Sequence, residues 1–493
     1  MQKNNTIQAF WVALGTFSSL ALSIVSVAVL SRYLSKGDYG TYRQIVYVYS
    51  TLLVVFSAGL PSVFSYFLPR FTIQQGKDIV LKVTKILFIG GVFFSIFLFS
   101  FSGLIAQVLK NPELSLGLKI FAPIPMLLLP TLGIEGVFAT YKKTIYIAFF
   151  TVSTRIITLL CILVPVIFFD KSYIYALYGW NIASLLSLIL AIYFKRIPFA
   201  EFEAEKSNLK LKEIFSYSLP LLTASLWGTA IKAADQFYIS RYFGSEIFAE
   251  FSNGFIEIPF VIMITGATAT ILLPIFSKMF HENADVEEFV LIWKNVLNKS
   301  AMIIYPMVIF FLFYSKDIIT ILYSNKYSNS VIYFQINIFQ NFFNIIIFAP
   351  LLFAMGKTKF YSKLHMYIAL AAWGLGYLTV TIFNSPLSIA ILSVSLNILK
   401  IGVAFIFISR IFKIQITKLI PFKKMGLYII HSLLVIVIVR MISLALLPPL
   451  NPFIYLTFSL LSFVIVLLAS ALPLKIDYMA IIKPIFEKFT KRF

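Results

Sequence analysis

The sequence predicts an all-α integral membrane protein of about fourteen transmembrane helices, arranged as two six-helix lobes plus two C-terminal helices. Three observations support this prediction: the composition, the recurrence of long apolar stretches, and an internal repeat. Hydrophobic residues make up 60% of the 493 positions, charged residues only 12%, and the mean hydropathy is +0.92. Soluble domains are about a quarter charged. A large soluble catalytic domain is therefore excluded.

Apolar stretches of about 20 residues, the length that crosses a bilayer, recur along the whole chain. We predict four parts: an N-terminal six-helix lobe (1–195), a cytoplasmic linker (196–213), a second six-helix lobe (214–410), and two extra helices with a basic cytoplasmic tail (411–493). The predicted crossings are residues 10–30, 42–67, 86–108, 120–139, 145–169, 174–194, 217–239, 251–276, 296–314, 333–354, 364–383, 387–408, 427–446 and 453–472.

The formal net charge of +21 and the pI of about 9.7 raise the question of nucleic-acid binding. With a cytoplasmic N-terminus, about 28 basic residues fall in inside segments and about 8 in outside loops. Membrane proteins concentrate lysine and arginine on the cytoplasmic side. This asymmetry accounts for the net charge, predicts that both termini are cytoplasmic, and leaves nucleic-acid binding without support.

An internal repeat favours duplication of a six-helix unit. The sequence LSRYLSKGDYGTY from Leu30 matches ISRYFGSEIFAEF from Ile239, with Ser-Arg-Tyr in register. Two further pairs keep the same order: LPRF with LPIF, and VFATYKKT with LFAMGKTK. Because six is even, both copies cross in the same direction. We therefore expect two lobes related by a pseudo-two-fold axis along the membrane normal, with a substrate path between them.

No pattern of catalytic or metal-ligating residues is found in the sequence. Cys161 is the single cysteine, and the three histidines (His281, His365 and His431) are far apart. The string MGKTK around Gly356 lacks the first glycine of a phosphate-binding loop. We predict no catalytic residue, no metal and no cofactor, and a protein that is not an enzyme.

Charged residues within the predicted spans are the candidate functional residues. A charge at the bilayer centre costs ~2.5–3.5 kcal/mol on insertion scales, so such residues usually face the bundle interior or a wet cavity. Five bases against three acids leave a net positive interior, which suits an anionic cargo. The candidate substrate-binding residues are Arg43, Arg155, Lys232, Lys400 and Arg440, and the candidate coupling or gating residues are Asp235, Glu135 and Glu257.

Six of the eight candidates have a structural alternative. Lys232 and Asp235 are three positions apart on one helical face and could simply neutralise each other. Arg43 and Arg440 lie near the outer surface and could snorkel to the interface. Arg155 and Lys400, the two bases deepest in the predicted spans, could be buried hydrogen-bonding residues without a transport role.

Three segments carry a family resemblance: VAVLSRYLSKGDYGTYRQI, SAGLPSVFSYFLPRF and SYSLPLLTASLWGTAIKAADQFYISRYFG. They resemble the polysaccharide transporters of the multidrug/oligosaccharidyl-lipid/polysaccharide exporter superfamily, the Wzx-type flippases, and the likeness covers nearly the whole chain. The resemblance places Arg32, Asp38, Tyr39 and Gly40 at the outer end of the first helix. It also places Asp235 on a helix that faces the opposite lobe, although Lys-Ala-Ala before this aspartate departs from the family pattern.

The resemblance implies a flippase of the bacterial inner membrane. Such proteins turn undecaprenyl-pyrophosphate-linked oligosaccharide from the cytoplasmic to the outer leaflet by alternating access, for O-antigen and related lipopolysaccharide assembly. Membrane lipids and other glycan-assembly membrane proteins are the implied partners. Two alternatives stay open. A multidrug exporter of the same superfamily would need an acid-rich cavity for cations, and a membrane-embedded glycan polymerase or ligase would need a large outer catalytic loop.

Overall fold

The computed structural model describes residues 2–446, 451–471, 473–474 and 476–478, and this part of the chain contains helices and no strands. The predicted basic tail lies beyond these residues. The α-helices are α1 (Gln2–Tyr33), α2 (Lys36–Ser57), α3 (Pro61–Phe67), α4 (Ile73–Val108), α5 (Glu113–Phe121), α6 (Ile124–Leu128), α7 (Ile134–Thr140), α8 (Ile145–Phe168), α9 (Tyr173–Arg196), α10 (Leu211–Gly254), α11 (Pro259–His281), α12 (Val286–Phe313), α13 (Ser315–Tyr323), α14 (Ser330–Phe339), α15 (Asn341–Asn344), α16 (Ala349–Ala354), α17 (Thr358–Phe383), α18 (Pro386–Phe412), α19 (Ile416–Leu419), α20 (Phe422–Leu446) and α21 (Pro452–Ala471).

Within the described residues, thirteen helical segments are long and apolar enough to cross a membrane. The stretch at 333–354, predicted as a further crossing, is not one continuous helix. It consists of α14, α15 and α16, with non-helical backbone at residues 345–348. Pro350 lies in the first turn of α16, where its missing backbone N–H costs no intrahelical hydrogen bond. The all-α membrane fold is confirmed, with this crossing broken.

The equivalent crossing of the first copy is also broken. Residues 113–140 form α5, α6, a 3₁₀ turn at Leu129–Thr131, and α7. Pro125 and Pro130 lack the backbone N–H that a continuous helix needs. Gly133, with φ of 77°, then starts α7 in a left-handed conformation that glycine adopts without steric cost.

The Ser-Arg-Tyr repeat marks the same helix break in both copies. Four residues after Ser31, Ser35 is extended (φ −60°, ψ 161°), and its side chain accepts a hydrogen bond from the Asp38 N–H to cap α2. Four residues after Ser240, Gly244 breaks α10 with φ of 82° and ψ of 177°. The break is thus conserved between the copies, but one copy uses a capping serine and the other a glycine.

An asparagine in each copy ties the loop before the broken crossing to the helix that follows the Ser-Arg-Tyr break. Asn111 Nδ2 donates to Thr41 Oγ1 at 2.9 Å and to Gln44 Oε1 at 2.6 Å. Asn329 Nδ2 donates to both carboxylate oxygens of Glu250 at 3.1 Å. Thr41 and Glu250 each lie ten residues after the serine of their Ser-Arg-Tyr motif.

The LPRF and LPIF pair does not share a local structure. LPRF lies in a 3₁₀ turn at Leu68–Arg70, whereas LPIF lies inside the continuous helix α11. The repeat therefore preserves the helix order and some of the breaks, but not every helix end.

The chain divides into two compact units between Ala249 and Glu250, inside the kinked helix α10. In the first unit α8 packs between α1 and α9, and α4 packs on the broken crossing. In the second unit α17 packs on α18, and both α12 and α21 pack on α20. Most of α10 thus groups with the first unit. The predicted lobe boundary at the linker remains a prediction.

The linker lies along the N-terminal part of α4. The backbone N–H and the hydroxyl of Ser207 donate to Asp78 Oδ2 at 2.8 and 2.6 Å. Lys82 Nζ lies 2.7 Å from the same Asp78 oxygen and donates to the Ser207 carbonyl at 3.1 Å. Lys77 Nζ donates to the carbonyl of Phe202 at 2.6 Å. Ser207 is consequently buried, and its position in the linker is fixed by hydrogen bonds.

Candidate functional site

Arg155 lies in the middle of α8 but not on its apolar exposed face. Phe149, Ile156 and Leu160 form an exposed apolar row along this helix. At about 100° per residue, Arg155 lies about 100–140° around the helix from each of them. Its Nε donates to Ser19 Oγ of α1 at 2.8 Å, and the side chain stays exposed. The guanidinium is therefore directed away from the row that suits contact with lipid.

The Arg155 guanidinium keeps most of its donors available. A guanidinium has five N–H groups, and among the described residues only the Nε–H of Arg155 has a protein acceptor. Tyr49 of α2 is close enough for its hydroxyl to interact electrostatically with this charge. The Tyr49 ring is held in place by Phe94, stacked at 5.7 Å, and by Phe121, edge-on at 5.2 Å. The site thus offers an oriented cation with free N–H groups.

Asp235 lies on the side of α10 that faces α2. Its side chain is 9% exposed, whereas Lys232 on the same helix is exposed. Tyr47 Oη donates to the Ala233 carbonyl at 3.2 Å and interacts electrostatically with Asp235. Gln44 of α2 donates to Ser240 Oγ of α10 at 2.8 Å. These contacts fix α10 against α2 around the aspartate.

The structure does not bring Arg155 and Asp235 together on one face of α2. Tyr49, the neighbour of Arg155, and Tyr47, the neighbour of Asp235, are two positions apart and so point about 160° apart around that helix. Arg43 is half-buried one turn before Tyr47, on the Asp235 side of α2.

Glu135 and Glu257 both lie at helix breaks. Glu135 is exposed in the first turn of α7, where a carboxylate suits the positive end of the helix dipole. Glu257 is exposed in the non-helical segment 255–258 between α10 and α11. The prediction that Glu257 lies within a helix was wrong. Ile258 precedes Pro259 and has extended backbone, as residues before proline prefer.

The two candidate bases of the second unit have different surroundings. Lys400 is half-buried on α18 and interacts electrostatically with His365 of α17. Arg440 is exposed on α20, and its Nη1 donates to the Phe313 carbonyl at the end of α12 at 3.5 Å. Asp317 lies within electrostatic range of Arg440. Arg440 therefore interacts with the C-terminal end of a helix, a favourable place for a cation.

Sequence reasoning missed Lys195, which it assigned to the cytoplasmic end of the first lobe. The side chain is only 5% exposed. Its Nζ donates to the carbonyls of Pro130 at 2.7 Å and Leu132 at 3.0 Å and to Thr84 Oγ1 at 3.2 Å, and it lies 4.9 Å from the Phe64 ring centroid. Lys195 thus satisfies the carbonyls that the broken fourth crossing leaves without intrahelical donors.

A cluster of amide side chains in the second unit was also missed. Its members lie at the break of the tenth predicted crossing and on α18, and they are Asn337, Gln340, Asn341, Asn344 and Asn397. The string QINIFQNFFN within an apolar stretch carries the signal. In the described residues, no group of three or more His, Cys, Asp or Glu side chains is placed to hold a metal ion.

Comparisons with known proteins identify the family and the fold. The sequence model of a family described as "Polysaccharide biosynthesis protein" matches residues 29–332. No curated protein matches the chain. The fold is similar to that of a lipid II flippase, MurJ, in an inward closed conformation, with 15% identity, a TM-score of 0.72, and coverage of 94% of this chain and 98% of that one.

Two other solved structures have a similar fold. An inward-facing multidrug resistance MATE family transporter has 13% identity and a TM-score of 0.65, with coverage of 81% of this chain and 95% of that one. A MOP superfamily transporter from Pyrococcus furiosus Vc1 has 13% identity and a TM-score of 0.58, with coverage of 85% and 96%. At these identities the likeness shows the fold alone. The chain is thus a multi-pass membrane protein with a transporter fold, and it belongs to the polysaccharide biosynthesis protein family.

Proposed function

We propose that this protein is a flippase for lipid-linked oligosaccharide. It would move undecaprenyl-pyrophosphate-linked oligosaccharide from the cytoplasmic to the outer leaflet of the bacterial inner (plasma) membrane by alternating access. The product would supply surface polysaccharide assembly, with other glycan-assembly membrane proteins as partners. Both termini would be cytoplasmic, and neither a cofactor nor an enzymatic step is needed. The family match and the transporter fold support a transport role in polysaccharide synthesis.

The proposal depends mainly on the position of Arg155 and on its free N–H groups. A pyrophosphate cannot enter hydrocarbon without groups that replace its hydration, because an unpaired ion there faces a large desolvation penalty. Arg155 supplies a fixed cation at mid-helix whose remaining N–H groups are available to phosphate oxygens. The polyprenyl tail can stay in lipid while the headgroup follows this polar route.

The other charged residues have proposed roles of their own. Arg43, Lys232 and Lys400 would add contacts to the anionic headgroup along its path, and Arg440 would contact it at the outer end. Asp235, Glu135 and Glu257 would take part in coupling or gating. An inside-negative membrane potential by itself favours outward movement of an anion by ~2.3 kcal/mol per charge per 100 mV.

The two alternative functions are less well supported. The MATE-like fold is compatible with a multidrug exporter, but a site for cationic drugs needs acidic and aromatic groups, and the exposed mid-helix charge of α8 is a base. A glycan polymerase or ligase needs a catalytic group on the outer side, and the described connections on the predicted outer side are short.

A depletion experiment in the source bacterium separates the three functions. Depletion of a flippase should abolish surface polysaccharide and cause lipid-linked repeat units to accumulate, protected from a membrane-impermeant glycan-modifying reagent. Loss of a polymerase or ligase should instead leave repeat units accessible from outside. Loss of a multidrug exporter should leave the polysaccharide unchanged and raise the accumulation of cationic dyes. Either of the last two results would contradict the proposal.

A further inference from the structure

The amide cluster of the second unit is a connected hydrogen-bonded network. Asn397 Nδ2 on α18 donates to Gln340 Oε1 at 2.7 Å and to Asn344 Oδ1 at 2.9 Å. Gln340 Nε2 donates to Asn337 Oδ1 at 2.6 Å, and Asn344 Nδ2 donates to Asn341 Oδ1 at 2.9 Å. The network therefore joins α14, α15 and α18 at the broken crossing.

The cluster has a fixed base and an accessible surface. Asn337 and Asn341 are buried, at 4% and 7% exposure, whereas Gln340, Asn344 and Asn397 are half-buried. Asn337 Nδ2 also donates to the Ile256 carbonyl, next to the break before α11, at 2.6 Å. The buried amides thus hold the half-buried ones in place.

The accessible amides keep hydrogen-bonding capacity beyond the network. Each amide nitrogen carries two N–H groups. Within the described part of the chain, Gln340 and Asn344 each use one of these groups, so each has a second N–H to offer. Their carbonyl oxygens, and that of Asn397, have spare lone pairs. The surface therefore presents donors and acceptors side by side, which is the pattern that sugar hydroxyls complement.

The neighbouring charge favours a sugar attached to an anion. The five amides are neutral, and Lys400 follows Asn397 by three residues on the same face of α18. A cation or a cationic drug would be disfavoured beside this lysine, whereas a phosphate would be favoured. Burying a sugar hydroxyl without a hydrogen-bond partner is unfavourable, so a hydroxyl-rich cargo needs such partners on its way across.

We propose that this amide cluster binds the sugar residues next to the pyrophosphate of the lipid-linked cargo, with Lys400 on the phosphate side. The proposal rests on the proposed flippase function and adds to it a recognition site for the carbohydrate. In this proposal the cluster binds cargo. The alternative is that its amides only hydrogen-bond to each other and stabilise the break in the tenth crossing.

The test compares two probes on the purified full-length protein in nanodiscs. One probe is undecaprenyl pyrophosphate, and the other is the undecaprenyl-pyrophosphate-linked oligosaccharide extracted from the producing cells. Asn344→Leu and the milder Asn344→Ser each remove an amide from the accessible surface, and Asn344→Ser keeps a hydroxyl donor for Asn341. Gln335→Met is the matched control, because Gln335 on α14 donates to Ser315 Oγ at 2.8 Å, outside the cluster.

Wild-type protein should bind the oligosaccharide lipid more tightly than undecaprenyl pyrophosphate. Asn344→Leu should weaken binding of the oligosaccharide lipid about tenfold, which corresponds to ~1.4 kcal/mol, and leave the sugar-free lipid unaffected. Asn344→Ser should show the same selectivity with a smaller loss, and Gln335→Met should behave as wild type. Thermal denaturation verifies that each variant is folded.

Two outcomes would overturn the sugar site while leaving the flippase proposal intact: equal weakening of both probes, or equal affinity of the wild type for both. If wild-type protein binds neither probe, the proposed function itself fails, and this inference fails with it.

Discussion

Neutralising Arg155 should remove headgroup binding while leaving the fold in place. Arg155→Gln keeps an N–H group that can reach Ser19 Oγ, now 2.8 Å from Nε, but it removes the charge. A hydrogen bond to a charged group contributes ~1.5–3 kcal/mol, against ~0.5–1.5 kcal/mol for a neutral one. The difference predicts a loss of transport of about tenfold or more. Because the side chain is exposed and has no ion-pair partner among the described residues, stability should change little.

The assay is surface glycan export by a deletion strain that carries each variant at matched protein abundance. Arg155→Lys should retain part of the activity, since it keeps the charge but loses the planar guanidinium group with its five N–H donors. Ser19→Ala should cost less, about two- to fivefold, because Ser19 only orients the guanidinium through one neutral acceptor. Lys400→Gln is the parallel test in the second unit. Full export by both Arg155→Gln and Lys400→Gln would show that these bases are structural.

Three further predictions concern other charged or polar positions. If Lys232 and Asp235 only neutralise each other, either single neutral substitution should damage export, and the double mutant Lys232→Met/Asp235→Leu should restore it. We expect instead that Asp235 takes up a proton or cation during transport. In that case the folded double mutant should stay inactive. A cysteine at the exposed Asn208, in a background without the native cysteine, should react with an impermeant maleimide only in permeabilised cells, and labelling of intact cells would refute the cytoplasmic linker. Lys195→Met should lower the Tm in detergent by several degrees, because two buried carbonyls lose their hydrogen-bond donor at a cost of ~1–3 kcal/mol each. Arg196→Met, which changes an exposed side chain, should leave the Tm unchanged. An unchanged Tm for Lys195→Met would show that Lys195 does not stabilise the fold.

The buried serine of the linker shows why the topology test needs the structure. A sequence rich in charged residues indicates an exposed linker, and Ser207 lies between the polar residues Lys206 and Asn208. Its hydroxyl and N–H nevertheless bind Asp78, 129 residues earlier in the chain. A cysteine there would be poorly reactive for reasons unrelated to its side of the membrane. Asn208, next to it, is exposed and avoids this problem.

The sequence alone predicted the helical membrane fold because hydrophobic length is a property of each segment taken by itself. It also placed a helix end at the Ser-Arg-Tyr repeat in both copies, and in the structure these breaks occur at Ser35 and Gly244, residues that favour non-helical backbone. The broken tenth crossing was missed. A hydropathy count does not register where a helix is interrupted, and the apolar stretch around Ile345 is hydrophobic whether or not it is helical.

The charged candidates were found because charge is rare in a span, but their surroundings depend on contacts distant in sequence. Arg155 meets Ser19 from 136 residues earlier, and no spacing rule predicts that contact. The burial of Lys195 was not predicted, because a lysine at a helix end usually snorkels to water. The carbonyls it binds belong to a break, at Pro130, that only the folded chain brings near it.

Flippase activity can be measured as the rate at which purified protein moves lipid-linked oligosaccharide across a bilayer. Proteoliposomes would carry oligosaccharide lipid extracted from the producing cells, and an impermeant glycan-oxidising reagent would report the fraction exposed on the outer leaflet over time. Wild-type protein should expose the inner-leaflet pool much faster than it becomes exposed in protein-free liposomes, and Arg155→Gln should slow this movement about tenfold or more. An inner-leaflet pool that stays protected in the presence of folded wild-type protein would show that the protein is not a flippase for this lipid.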